Sequence, residues 1–361
     1  MWRPRKFKVC ICGGGHLGHA LAAVLGANID VCVSVATSTA DLWQPEIRAV
    51  HGDVVVIGKI HLAVANIAAA AEEADLILLA CPAFTHRPVL QALKSAIERG
   101  VWIGAMPAPG FFQWAVEELS PRARVFAGTR APFNCRIRMP GGIVDVAGII
   151  PSINIAVSPS ALGDELKSLL QDLLGLDIRT VESFFAATLE PSVSIFHPAR
   201  LFTFFTRAPT YLPRGNALDF YEAWDDAASE VYLRCDAELQ HIAARMPKPV
   251  QIPSALAHYG VETPQLLTER IRTLGGLPAT QIPTIATESG YVANCMHRFF
   301  CEDIEIGLNS VAWLCRLAGQ SSPTIDELIS WHRKIVPTTS ESAGYVDWAQ
   351  TRAPFYLPEL C

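Results

Sequence analysis

The sequence predicts an α/β protein: a doubly wound, mainly parallel sheet at the N-terminus, followed by a second domain that is all helical. Three observations carry that expectation. Short apolar runs alternate with helix-period segments from residue 7 to about residue 150, which implies parallel pairing through right-handed crossovers. A glycine-rich stretch, CICGGGHLGHALA at residues 10–22, follows the first apolar run and opens the first helical one. After about residue 183 strand signals fade while helical periodicity continues. A chain of 361 residues is long enough for two domains. The boundary is placed between them at 182/183, giving a Rossmann domain over 1–182 and a helical substrate-binding and catalytic domain over 183–361.

The elements follow in order. FKVCIC (7–12) reads as a buried strand and HLGHALAAVLGA (16–27) as a helix. IDVCVSVAT (29–37) reads as a strand, NIAAAAEEA (66–74) as helix and DLILLACPA (75–83) as strand. HRPVLQALKSAIERG (86–100) is helical and VWIGAM (101–106) a strand. The strand runs are continuously apolar because both faces of such a sheet are covered. Between about 135 and 158, paired glycines and prolines without helical period predict a hairpin or mixed edge strands. SALGDELKSLLQDLLGL (160–176) is a helix with Ser160 as its cap. Helices are then expected in ARLFTFFTR (199–207), ALDFYEAWDDAASEVYLRCDAELQHIAARM (217–246), TPQLLTERIRTL (263–274), NSVAWLCRLAG (309–319) and TIDELISWHRK (324–334).

Composition narrows the function classes. Half of the residues are apolar and 18% are charged, which excludes a disordered chain. A net charge of −6 argues against nucleic acid as the main partner. The basic run at Arg3, Arg5, Lys6 and Lys8 outlines a secretory leader, but Gly13, Gly14, Gly15 and His16 break the apolar stretch such a leader needs. No apolar run reaches bilayer-spanning length. The ten cysteines show neither C-x-x-C pairs nor zinc spacing with histidine. Reduced thiols and a cytoplasmic location are therefore expected, with no metal site.

Gly13, Gly15 and Gly18 form G-x-G-x-x-G between a strand and a helix. The first glycine permits a tight turn, the second lets a pyrophosphate approach the backbone, and the third lets helix and strand pack closely. The helix N-terminus offers unpaired N–H groups and partial positive charge to the phosphates. A dinucleotide is the expected ligand. The second strand ends in Ala36–Thr37–Ser38–Thr39, with no carboxylate at the tip that would hold the ribose hydroxyls of NAD; Asp41 lies further on. Hydroxyls there accommodate a 2′-phosphate, though no arginine is adjacent, so NADP is slightly favoured over NAD.

A second constellation lies in the helical half. In SIFHPARLF, Pro198 disfavours the helical region for His197 and suits the first helical position, which predicts His197 at a helix mouth. A neighbouring carboxylate would tune such an imidazole for proton transfer; the alternative is a histidine that only caps the helix. In HRFFCEDIEIGL (297–308), Arg298 suits a substrate carboxylate and Asp303 suits an imidazole. On one continuous helix five residues separate two side chains by about 140°, so both serve one site only if the helix breaks. The alternative is an ordinary surface ion pair.

Over most of its length the chain resembles the octopine/nopaline (opine) dehydrogenase family, including its bacterial metallophore-forming relatives. The resemblance rests on the glycine fingerprint, on DLILLACPAFTHRPVLQAL, on FHPAR and on RFFCEDIEIGL, with FYEAW (220–224) also similar. It implies an NAD(P)-dependent oxidoreductase. In the reaction implied, an amino acid condenses with a 2-keto acid and a nicotinamide hydride reduces the imine. It further implies His197 as catalytic acid and base, Asp303 as its partner and Arg298 as the substrate-carboxylate clamp. The cofactor would contact Gly13, Gly15, His16, Leu17, Gly18, Thr37, Ser38, Pro82 and Ala83, in a cleft between the domains.

Two departures bear on the substrate pocket. SVSIF (192–196) lacks the family's asparagine before His-Pro, and Glu305 and Ile306 replace the usual Pro-Tyr. Gln113 is a candidate substrate contact, and His86 either lines the nicotinamide end or is a solvated loop residue. The expected partners are small molecules, an amino acid and a 2-keto acid, with neither nucleic acid nor membrane; a homodimer stays open. Two rival readings remain: a two-domain dehydrogenase of a 2-hydroxy or 2-keto acid alone, and a non-catalytic nucleotide sensor.

Overall fold

The computed structural model describes residues 5–108, 110–191, 193–207, 219–246, 248–274, 280–288 and 290–335. Arg3, Pro109, Ser192, Ala217, Leu218 and the stretch from 336 onward, all touched by the sequence reading, lie outside the described residues. The chain divides into two compact units, 1–108 with 112–187 and 109–111 with 188–361.

The first unit is built on one eleven-stranded sheet. Its centre is β1 (Phe7–Cys12), flanked by β2 (Val31–Ala36) and, across the other edge, by the strand Leu76–Leu79. Two strands lie between these in sequence: β3 (Glu46–His51) and β4 (Val54–Val64). Leu76–Leu79 is thus β5, and β6 (Trp102–Ala105) and β7 (Arg124–Gly128) continue outward from it. The parallel set runs β4-β2-β1-β5-β6-β7. In chain order of its members this is 3-2-1-4-5-6, the doubly wound order that places ligands outside the carboxyl ends of the strands. β8 (Phe133–Met139) and β9 (Ile143–Ile149) extend one edge beyond β3; β10 (Ser152–Ser158) and β11 (Asp177–Thr180) extend the other beyond β7. Val9, Ile11, Val33, Val35, Leu76 and Leu78 share one buried core with Ala20, Leu21 and Leu25 of the helix His16–Gly26.

Three local expectations change. β3 and β4 fall in a stretch passed over in the sequence, although EIRA (46–49) and KIHL (59–62) alternate with period two on either side of a Gly52–Asp53 turn. The NIAAAAEEA helix shrinks to Ile67–Ala70, capped by Asn66. Ser160 is not a cap: a 3₁₀ turn over Ser160–Leu162 precedes the helix Gly163–Leu174, whose N-cap position is Leu162 without a side-chain bond.

The second unit is helical. Its main helices are Val193–Arg207, Asp226–Arg245, Pro264–Arg272, Asn309–Leu317 and Pro323–Ile335. Asp225 and Thr263 cap two of them, each accepting a bond from the backbone three residues on. One small antiparallel hairpin, β12 (Thr284–Thr287) with β13 (Gly290–Ala293), interrupts an otherwise helical texture. The FYEAW segment stands outside the long helix, which starts at Asp226. No helix among the described residues is long and apolar enough to cross a membrane. None of the described cysteines is in a disulfide.

Burial drives four histidines toward the neutral state. His19, His86, His197 and His332 each have a lowered pKa with desolvation as the first cause, His86 and His332 falling to about 4. The unfolded chain therefore binds protons that the folded chain refuses, and stability rises with pH across that window. It is fully present above about pH 6.5 and is lost as pH falls toward about 4. Chemical denaturation at pH 7, 6 and 5 should show a falling midpoint, by on the order of 1–2 kcal/mol per deeply shifted group at pH 5; a flat profile contradicts this.

Candidate active site

The glycine turn meets each steric demand of its pattern. Gly13 has φ 128°, and a Cβ on it would lie 2.6 Å from the Ala80 carbonyl at the end of β5. A Cβ on Gly18 would lie 1.9 Å from the Gly13 oxygen, so only glycine lets the helix sit this close to the turn. At Gly15, by contrast, a Cβ would meet nothing nearer than 4.0 Å. The backbone there is open, and the helix starts after Gly15, its N-cap, with no side-chain capping bond. An open, uncapped helix start behind a tight turn fits a dinucleotide pyrophosphate.

The remaining first-unit candidates are placed as follows. His16 is exposed, and its Nδ1 accepts the Ile137 N–H of β8 at 3.0 Å. Leu17 packs partly buried against the core. Thr37 is buried and turned inward: a Cβ on Gly14 would lie 2.2 Å from its Oγ1. Ser38 and Thr39 are the exposed residues at the tip of β2, the Thr39 hydroxyl lying 3.2 Å from that of Thr37. Pro82 is exposed at the head of a 3₁₀ turn and Ala83 is buried within it. His86 is no solvated loop residue. It is 1% exposed, and its Nε2–H donates to the Cys81 carbonyl at 3.0 Å, fastening the turn after β5. Gln113 is buried with its Oε1 unpartnered.

In the second unit His197 and Asp303 meet. The imidazole Nδ1–H donates to Asp303 Oδ2 at 2.7 Å, and both side chains are at most 5% exposed. Phe299 stacks on the ring at 3.9 Å between centroids, and Phe220 meets it edge-on at 5.3 Å. His197 is not at a helix mouth. It is the fifth residue of Val193–Arg207, with Pro198 inside the helix. The proline removes the N–H that would bond the Ser194 carbonyl, so one ladder bond is missing a turn inside the helix.

The partner segment carries the helix break that the sequence demanded. A short helix, Arg298–Cys301, stops at Glu302, and a π-helical turn spans Asp303–Leu308. The Gly307 N–H bonds the Glu302 carbonyl five residues back at 3.0 Å. Gly307 matters here: a Cβ on it would lie 2.5 Å from Ser194 Oγ, so the glycine lets this turn press against the histidine helix. Arg298 is exposed, yet its charge reaches the imidazole. Burial is the main cause that pushes the His197 pKa down; the Asp303 charge and bond oppose it, and the Arg298 charge adds to the lowering. A neutral ring with its proton on Nδ1 leaves a bare Nε2 lone pair for chemistry. Sequence reasoning attached no role to Tyr221, whose hydroxyl lies 3.5 Å from that Nε2.

Comparison with known proteins gives a consistent picture. Residues 180–336 match a family described as NAD/NADP octopine/nopaline dehydrogenase, alpha-helical domain. Residues 8–107 match the NAD-dependent glycerol-3-phosphate dehydrogenase N-terminus. Octopine dehydrogenase of Pecten maximus is 24% identical, over 96% of this chain and 95% of that protein. Among solved structures, octopine dehydrogenase in complex with NADH and agmatine superposes with a TM-score of 0.80 at 22% identity, covering 97% of this chain and 95% of that one. NADP+-bound yersinopine dehydrogenase superposes at 0.68 and 13% identity, covering 96% and 93%.

The glycine geometry makes a paired prediction. Gly15→Ala should keep the wild-type melting temperature and lose dinucleotide affinity by tenfold or more, since its methyl enters the open cradle. Gly18→Ala should destabilise the fold itself by several kcal/mol, because the added carbon overlaps backbone. Calorimetry of both proteins and dinucleotide titration check this; unchanged affinity in Gly15→Ala contradicts the assignment.

Proposed function

We propose that the chain is a member of the octopine/nopaline (opine) dehydrogenase family, and that it condenses an amino acid with a 2-keto acid and reduces the product to a secondary amine, as an NAD(P)-dependent oxidoreductase. The observation that carries this reading is the buried His197–Asp303 hydrogen bond beside the Arg298 charge. Those three residues supply what the reaction demands of a protein: a proton carrier, a group that fixes its tautomer, and a cation for a carboxylate.

The roles follow from the geometry. Asp303 holds the proton on Nδ1, so Nε2 is the nitrogen that exchanges protons with substrate. Protonated His197 gives its Nε2 proton to the hydroxyl of the carbinolamine, which leaves as water as the imine forms. In the oxidative direction neutral His197 takes the proton back. Arg298 holds a substrate carboxylate through paired N–H donors. A dinucleotide held by its pyrophosphate at the glycine turn would supply the hydride that reduces the imine. Gly13, Gly15 and Gly18 hold the pyrophosphate, with His16, Leu17, Pro82 and Ala83 around the turn.

NADP is the preferred cofactor over NAD in this reading. Ser38 and Thr39 stand exposed at the tip of β2, while Thr37 is committed to packing on Gly14. The reduced thiols fit a cytoplasmic protein, and a homodimer is the proposed assembly. Turnover of a panel of amino acids with pyruvate, 2-oxoglutarate or glyoxylate, followed with NADPH and NADH separately, tests the whole reading. Keto-acid reduction without any amine would favour a 2-hydroxy-acid dehydrogenase instead, and cofactor binding without turnover would favour a sensor.

Two substitutions divide the roles. His197→Asn should lower kcat by roughly 10²–10⁴ with cofactor affinity unchanged. Arg298→Gln should raise the KM of the carboxylate substrate. It should also move the acid limb of the oxidative rate to higher pH, because removing a nearby positive charge raises the imidazole pKa. An unmoved limb together with an unmoved KM removes Arg298 from the site.

A further inference from the structure

We propose that Tyr221 is a second acid–base partner of His197, its phenol relaying the proton between the imidazole Nε2 and solvent. The inference rests on the amine-forming reading above and adds a residue to it. With Nδ1 committed to Asp303, every proton the ring gains or loses passes through Nε2. Among the described residues, the polar side-chain atom within bonding reach of Nε2 is the Tyr221 hydroxyl, at 3.5 Å. That separation is long, as bonds of catalytic groups often are before substrate closes the site. A hydroxyl is also the one partner that suits both states of the ring: it donates to the bare lone pair of neutral Nε2 and accepts from Nε2–H of the imidazolium.

Burial gives the phenol its task. His197 is 4% exposed, so its ring has almost no direct water, whereas Tyr221 is half-buried. The relay balances simply. The phenol passes its proton to Nε2 and takes one from a solvent acid on the same oxygen. The phenol is unchanged, and one proton has moved from solvent to the ring; oxidation runs the same path backwards.

The segment that carries Tyr221 is non-helical, yet it is held from several sides. Asp219 Oδ1 accepts the N–H groups of Tyr221 and Glu222 at 2.8 and 2.7 Å. Arg200, buried one turn along from His197, donates to the Ala223 carbonyl at 2.5 Å. Arg272 donates to the Trp224 carbonyl at 2.6 Å. Phe196, the residue before the histidine, lies face to face with Tyr221 at 6.1 Å and with Trp224 at 4.4 Å. Two arginines spent on the carbonyls of one short loop fix where its hydroxyl stands.

The test is Tyr221→Phe in the full-length enzyme with bound NAD(P)H. It removes one oxygen and keeps the ring stack. With a substrate pair the wild type turns over, kcat should fall about 10- to 100-fold while KM and cofactor affinity stay within about twofold, as expected for loss of a proton-transfer group. The residual rate should rise with the concentration of a small buffer acid such as imidazolium. In the substrate-free protein the ¹⁵N resonance of His197 Nε2 should shift as its bond partner is lost. Wild-type kcat without buffer dependence, or an unmoved Nε2 resonance, overturns the proposal. If the wild type turns over no pair, the functional reading fails separately, and the resonance still decides Tyr221. Should the phenylalanine variant not fold, 3-fluorotyrosine at 221 replaces it: a more acidic phenol should move the pH limb of kcat downward, and an unmoved limb overturns the relay.

Discussion

The bond between His197 and Asp303 is the interaction around which the candidate site is organised. A histidine this deeply buried pays a desolvation cost for any charge it carries, and that cost is the leading cause of its lowered proton affinity. A buried carboxylate alone would also be unfavourable. Together they satisfy each other, and the pairing removes the ambiguity of the imidazole: Nδ1 is spent, Nε2 is left. The rest of the local structure serves this geometry. Phe299 and Phe220 enclose the ring, Gly307 lets the π turn approach the histidine helix, and the break at Glu302 frees Asp303 from the helical register of Arg298.

The first unit solves a different problem with steric means. Its glycines act through what a side chain would strike. Gly13 and Gly18 let turn, helix and β5 crowd together, and Gly15 leaves space where the helix N–H groups open outward. Cofactor chemistry needs little else from the protein at that point than a rigid, positively polarised cradle. The parallel strand order β4-β2-β1-β5-β6-β7 then fixes that cradle at the carboxyl ends of the strands.

What the sequence made legible was local. The fingerprint could be read because its demands are met within six residues. Most central strands could be read because they are covered on both faces. β3 and β4 alternate in exposure instead, and their period-two signal was there to be counted. His197 was expected at a helix mouth and instead lies inside its helix. A proline that reads as a first helical residue sits one turn inside, because the chain before it is already helical. The π turn had no sequence signature of its own, since it depends on Gly307 meeting Ser194 over a separation of more than a hundred residues. Tyr221 was hidden for the same reason: its position is set by Arg200 and Arg272, which reach its loop from other helices.

The tautomer of His197 is the most direct test of this account. Nitrogen-15 NMR of the histidine-labelled protein, assigned through His197→Asn and read at neutral pH, should show a protonated Nδ1 and an unprotonated Nε2, with the pattern lost in Asp303→Asn. A proton resident on Nε2 in the wild type, or a spectrum indifferent to Asp303→Asn, would contradict it.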